Sequence, residues 1–312
     1  MNIVENIKAQ KNVPALLKEH LLTGLFYNHF IDSVLRADCR DQYKKQWIHN
    51  QLIIEQLDDV NRLAAENNLN VTILKGSHLL LDLYPDLGSR FLSDIDLLID
   101  KKDQLHWESI LIQLGFSPIQ METFHGNNFK SEWSMLIGEI EINIELHTKL
   151  FFHLKNENWP RDLTSYSHIQ KLKSEELFIH LCGHLASQHT FLKLYWMFDI
   201  YFYYQKYYVH IDWHGLKKKS IEHDLFRSVQ MCLWILKRHF NVKLERDNEN
   251  LFSLNKKHWW ERFLTMSFLM YPLSNKLNYF IIKHATKDRF ISALRYDLTW
   301  FFHYKFRKAW LK

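Results

Sequence analysis

Two aspartates spaced two apart, Asp94 and Asp96 in Ser93-Asp94-Ile95-Asp96, open the apolar run Leu97-Leu98-Ile99, with Lys75-Gly76-Ser77 upstream and Glu145 downstream. In a β-strand residues i and i+2 share a face, so the two carboxylates are expected side by side, about 7 Å apart at the backbone. A core strand tolerates two acids only when positive charge sits on them. A hard divalent cation meets that need, magnesium first. Phosphoryl and nucleotidyl transfer use such ions to bridge nucleotide phosphates and polarise the attacking oxygen, with two or three carboxylates around paired Mg²⁺ ions roughly 3.5–4 Å apart. Asp94 and Asp96 supply two carboxylates, and a neighbouring strand should supply the third. The segment GEIEINIELH alternates, with Glu139, Glu141, Asn143 and Glu145 on one face and Ile140, Ile142, Ile144 and Leu146 on the other. Glu145 ends the acidic face; periodicity alone leaves Glu139 and Glu141 open beside it.

A triphosphate also needs a cradle. Glycine at a strand-to-helix turn lets the backbone approach an anion while the first amides of the helix point at it. Gly76 and Ser77 fit, with Ser77 expected as N-cap of the helix HLLLDLY. Lys75 adds a point charge toward phosphate and Arg90 a forked one. His147, two after Glu145, shares its face and can hydrogen-bond a phosphate, orient a carboxylate or serve structure. His180 and His184 stand at zinc-ligand spacing, with His189 five further on, but no glutamate sits beside His180, so packing histidines are expected. Asp199, alone in LYWMFDIYFYY, is expected to pair with Lys193 or a backbone amide, with a general-base role toward an acceptor hydroxyl as the alternative.

The elements that must position these residues are legible in outline. A helix is expected from Asp41 to Asn67, with Trp47, Ile54, Leu57 and Ala64 on its buried stripe. Val71-Thr72-Ile73-Leu74 reads as a strand stopped at Gly76, and with the helix HLLLDLY it makes a strand–turn–helix unit. After the Asp-x-Asp strand a capped helix runs from Asp103 to Leu114, with Gly115 in the C′ position. Phe116–Met121 and Phe129–Ile137 are further strand candidates, and helical patterning resumes at about Ser174.

Eight Gly and five Pro in 312 residues favour long helices, and five of those Gly fall between Gly76 and Gly138, where a sheet should be sought. The start MNIVENIKAQ lacks a basic and apolar leader pattern, and no apolar stretch reaches membrane-spanning length, so a cytoplasmic setting is expected. Three widely spaced cysteines argue against a disulfide framework and a cysteine zinc module. Residues 255–312 carry 12 Lys and Arg against 3 Asp and Glu, which leaves residues 1–254 at −4 of the total +5. Trp259, Trp260, Tyr296, Trp300, Phe301, Tyr304 and Trp310 interleave with that charge, a mixture suited to an acidic partner or nucleic acid, or to a helix with aromatics inward and lysines solvated.

The stretch LKGSHLLLDLYPDLGSRFLSDIDLLID, then a helix ending in LGF and later IELH, resembles the uncharacterised nucleotidyltransferase family, within the DNA-polymerase-β-like nucleotidyltransferase superfamily. The pattern is Lys-Gly, Tyr-Pro, Arg, Ser-Asp-Ile-Asp-Leu-Leu and an acid before Leu-His. The likeness covers about residues 70–150 and extends more loosely through HLCGH and LYWMFDI. It implies phosphate contacts from Gly76 and Ser77 and metal ligation by Asp94, Asp96 and Glu145, which settles the choice among the three glutamates. This chain departs from the pattern at Lys75, where the superfamily usually has a second glycine, at Glu145, where Asp is more usual, and at Thr148, where Trp is common after Leu-His.

The resulting expectation is an α+β protein: a small mixed-sheet nucleotidyltransferase core at 70–150, between helical regions at 1–69 and 151–312. With Mg²⁺, two ions by expectation, it should move an NMP group from an NTP, ATP favoured, to a small-molecule or polypeptide acceptor. Protein AMP transfer, onto itself or a partner in a toxin-neutralising role, and non-catalytic nucleotide or nucleic-acid binding are the alternatives.

Overall fold

A computed structural model describes residues 2–27, 33–119, 129–151, 154 and 159–289. The chain divides into two compact units, Leu21–Lys173, and Met1–His20 with Ser174–Lys312. The second begins with α1 (Ile3–Lys8) and α2 (Val13–Glu19). The first then opens with α3 (Thr23–Tyr27) and the 34-residue α4 (Ser33–Glu66). Ile53, Leu57, Val60 and Ala64, at helical spacing, are completely buried on α4. Trp47 lies about 110° round the helix from that stripe and is 42% exposed, against the sequence expectation.

Seven strands form one mixed sheet in the order β3-β4-β5-β2-β1-β7-β6. They are β1 (Val71–Ile73), β2 (Ile95–Leu98), β3 (Ser117–Pro118), β4 (Lys130–Ile137), β5 (Ile140–His147), β6 (Arg161–Leu163) and β7 (Ile169–Leu172). The central strands β1 and β2 are buried at every position, Thr72 and Asp96 included. Between them lies α5 (Lys75–Leu83), and after β2 comes α6 (Gln104–Gln113). Ile53, Leu57 and Val60 of α4, Trp107, Ile110 and Leu111 of α6, and Ile95, Leu97, Ile142 and Ile144 of the sheet make one apolar core.

Residue Gly115 ends α6 as expected. Its φ is +92°, Phe116 N donates to Leu111 O and Gly115 N donates to Ile112 O, the paired bonds of a Schellman closure.

The sheet continues past residue 150, where the sequence reading ended the core. Strands β6 and β7 are short, and only Ile169 and Leu172 of their seven residues are buried. They carry little periodic signal, and β7 is recruited by parallel pairing with β1, Val71 opposite Ile169.

The remaining helices are α7 (Ser174–Cys182), α8 (Leu194–Tyr207), α9 (Trp213–Glu222), α10 (Phe226–His239), α11 (Arg246–Leu251), α12 (Met266–Met270) and α13 (Lys276–Ala285), with a π-helical turn at Gly183–Gln188. Cys39, Cys182 and Cys232 are buried free thiols. Of the basic aromatic segment, Trp260 is buried and Trp259 is 54% exposed. Tyr296, Trp300, Phe301, Tyr304 and Trp310 lie outside the described residues. Among the described residues no helix is long and apolar enough to cross a membrane.

Candidate active site

Strand β2 runs parallel to β5 in a register that sets Asp96 opposite Glu145 and Leu98 opposite His147. Strand β4 runs antiparallel on the other side of β5, with Glu132 opposite Glu145 and Lys130 opposite His147. Like charges facing each other across strands destabilise a sheet, so Asp96, Glu145 and Glu132 require compensation. Three cationic groups provide it.

Lys75 Nζ donates to Asp96 Oδ1 at 2.8 Å. His147 Nε2 lies 3.0 Å from that same oxygen and 3.2 Å from Glu145 Oε2. Both neighbours are acceptors, so Nε2 carries the hydrogen and shares it between them. Lys130 Nζ donates to Glu145 Oε1 and to Glu132 Oε1, each at 2.6 Å. Asp96 and Lys75 are 6% and 16% exposed in their side chains, so these are shielded pairs.

Proton affinities follow the charges. Burial alone would raise the Asp96 carboxyl, but the Lys75 ammonium and the His147 hydrogen bond outweigh it and hold Asp96 well below the usual carboxylate range. Burial likewise opposes the shift at Glu145, where the hydrogen bond from His147 prevails and lowers it. His147 is raised: its burial favours the neutral ring, and the bonds to Asp96 and Glu145 overcome that. Asp94 goes the other way, pushed up to about 7 by burial first and then by the charges of Asp96 and Glu145. Ser93 Oγ donates to Asp94 Oδ1 at 2.9 Å, a bond too weak to reverse the trend.

The turn before α5 is built for close approach. Helix α5 begins at Lys75, three residues earlier than the sequence suggested, with Leu74 in the cap position and no side-chain cap bond. Ser77 is therefore inside the first turn, 1% exposed, and its Oγ reaches the Asp94 carbonyl at 3.5 Å. A Cβ on Gly76 would meet Arg90 Nη1 at 2.5 Å and Leu92 Cδ2 at 2.7 Å, so any larger residue must push those side chains aside. Arg90 is 4% exposed and Nη1 donates to Phe91 O at 2.9 Å. In this structure its guanidinium packs beneath Gly76. Helix α4 sets that loop: Asn50 Nδ2 donates to Leu87 O and Arg90 O, and Gln46 Nε2 donates to Gly88 O.

Lys75 has φ +41°, the left-handed region natural to glycine. A residue with a Cβ is disfavoured there by about 1–2 kcal/mol.

Asp96, Glu145 and His147 each bring one donor atom within 4.8 Å of the others. The two carboxylates fit a divalent cation such as Mg²⁺ or Mn²⁺, and the imidazole, whose Nε2 hydrogen points at both, orients them. The sequence placed Asp94 in this set and left His147 between several roles; the geometry puts His147 in the group and Asp94 beside it, close enough to feel its charge. Lys130 was missed, although antiparallel pairing of KSEWSMLI with IEINIELH would have set it opposite His147. Glu139 lies outside β5, and Glu141 is exposed opposite Leu136.

In the other unit, His184 and His189 pack ring to ring at 4.4 Å, and His189 stacks on Trp196 at 4.5 Å. Asp199 is 1% exposed, and Lys193, one of its two expected partners beside a backbone amide, donates to Glu19 O.

A model of the family described as uncharacterised nucleotidyltransferase matches residues 8–241. No curated protein and no solved structure matches the chain.

Proposed function

Since the chain belongs to the uncharacterised nucleotidyltransferase family, we propose that it transfers an NMP group from an NTP, ATP favoured, to a hydroxyl-bearing acceptor with release of pyrophosphate. The reaction is of the polymerase-β-like, metal-dependent type, in a cytoplasmic setting. The observation that carries this reading is the β2–β5 register, which sets Asp96 against Glu145 with His147 bridging them.

A bound divalent ion supplies charge neutralisation on the triphosphate and polarises the attacking oxygen. Asp96 and Glu145 would hold it, with Asp94 beside them and His147 orienting both carboxylates through its Nε2 hydrogen. The first-turn amides of α5, which lack a side-chain cap, would orient the phosphates. Arg90 keeps that turn in place from below, and Lys130 fixes the rotamer of Glu145.

The test is pyrophosphate release from each NTP with Mg²⁺, followed by mass spectrometry to find the acceptor. Asp96→Asn should lower turnover by at least ~10³-fold with the thermal unfolding transition retained. Full turnover in that variant would refute the reading. A nucleotide adduct on a polypeptide would identify protein AMP transfer.

A further inference from the structure

We propose that Lys75 supplies, as a fixed ammonium, the charge that a second divalent ion would supply, so that this centre takes one divalent ion and not a pair. The inference rests on the nucleotidyl-transfer reading. It starts from a conformational outlier: at φ +41° the backbone of residue 75 suits glycine, yet a lysine occupies it. A disfavoured backbone kept at a candidate site points to what its side chain does there. That side chain places Nζ 2.8 Å from Asp96 Oδ1.

The lone pairs of Asp96 decide the ion count. A carboxylate that bridges two cations gives one oxygen to each, and each oxygen offers two acceptor positions. At Asp96 Oδ1 both positions are taken, one by Lys75 Nζ and the other by His147 Nε2 at 3.0 Å. Only Oδ2 is left for a metal. The pair is shielded, with Asp96 6% and Lys75 16% exposed, so the ammonium acts at short range in a medium that screens it poorly. Glu145 is less committed: Oε1 accepts from Lys130 and Oε2 from His147, which leaves one position on each oxygen. Lysine is a compact point charge with three donors, suited to balancing phosphate oxygens from a fixed place.

The experiment counts ions on the full chain with a non-hydrolysable ATP analogue, using Mn²⁺ and its electron paramagnetic resonance signal to separate free from bound metal. Analogue binding is followed separately by calorimetry. Wild type should bind one Mn²⁺ per chain in the ternary complex. Lys75→Gly, which accepts the same backbone conformation, should bind two, with Mn–Mn coupling in the spectrum, and its turnover should change from first to second order in metal. Two ions in the wild type with the analogue bound would overturn the role of Lys75 and leave the transferase reading standing. Absence of analogue binding would remove both. If Lys75→Gly fails to fold, the wild-type stoichiometry alone decides.

Discussion

The sheet around β2 and β5 and the helical segment around Gly183–Gln188 each gather several side chains able to bind a metal, and the outcomes differ. In the sheet, donors from two strands converge within 4.8 Å. In the helical segment, His180, His184 and His189 are spaced as ligands along the sequence, but their rings face one another and Trp196. Among the described residues they join no group of three metal donors. Parallel register fixes Asp96 opposite Glu145 because a one-residue slip of β5 would turn its apolar face outward. No comparable constraint acts on a helix bend, where a π-helical turn and left-handed residues at Thr190 and Phe191 redirect each side chain.

Exchanging single histidines is the strongest way to break that contrast. His147→Gln should weaken Mn²⁺ binding by ~10–100-fold, the usual effect of a group that ligates or orients ligands. His184→Ala and His189→Ala should leave it unchanged. Calorimetric titration of the three variants reads this directly, and a loss in either helical variant would erase the distinction. A smaller effect probes the phosphate turn. Gly76→Ala drives a methyl to within 2.5 Å of Arg90 and should cost about 1–3 kcal/mol in urea denaturation. Combining it with Arg90→Ala should cost less than the sum of the two single changes, because the methyl then no longer meets the guanidinium.

Period explains why the sheet was readable and the bend was not. Glu145 stands on the alternating strand β5 and Asp96 on the short buried β2, where a period of two narrows the acidic face to Glu139, Glu141 and Glu145, and the α+β class and the Gly115 stop came from equally local rules. What escaped depended on partners remote in sequence. Lys130 is a counter-charge only through the β4–β5 register, and β6 and β7 are strands only because β1 offers an edge. Ser77 looked like a cap, yet β1 ends at Ile73 and the helix takes up the chain at Lys75. Arg90 looked like a phosphate ligand until Asn50 and Gln46 of α4 fixed its loop beneath Gly76.

The mildest test lies inside the sheet, between its compensated and uncompensated acids. Asp96 has Lys75 and His147 to offset its charge, whereas burial and two neighbouring carboxylates push Asp94 up to about 7. An acid whose folded value is raised keeps its proton longer in the folded state, so folding takes up protons between the unfolded value of 3.8 and about 7. Its contribution is full below 3.8 and is lost as pH rises through that window. Asp94→Asn cannot titrate and escapes the loss. In metal-free buffer it should match the wild type near pH 4 and exceed it by roughly 1–2 kcal/mol at pH 8, the full shift being discounted for partial solvent access. Divalent metal should reverse the order, because the cation stabilises the Asp94 carboxylate and displaces its proton. Urea denaturation at both pH values, with and without Mg²⁺, checks this. A pH-independent difference would mean that Asp94 is solvated like an ordinary surface acid, and the electrostatic distinction between the two aspartates would fail.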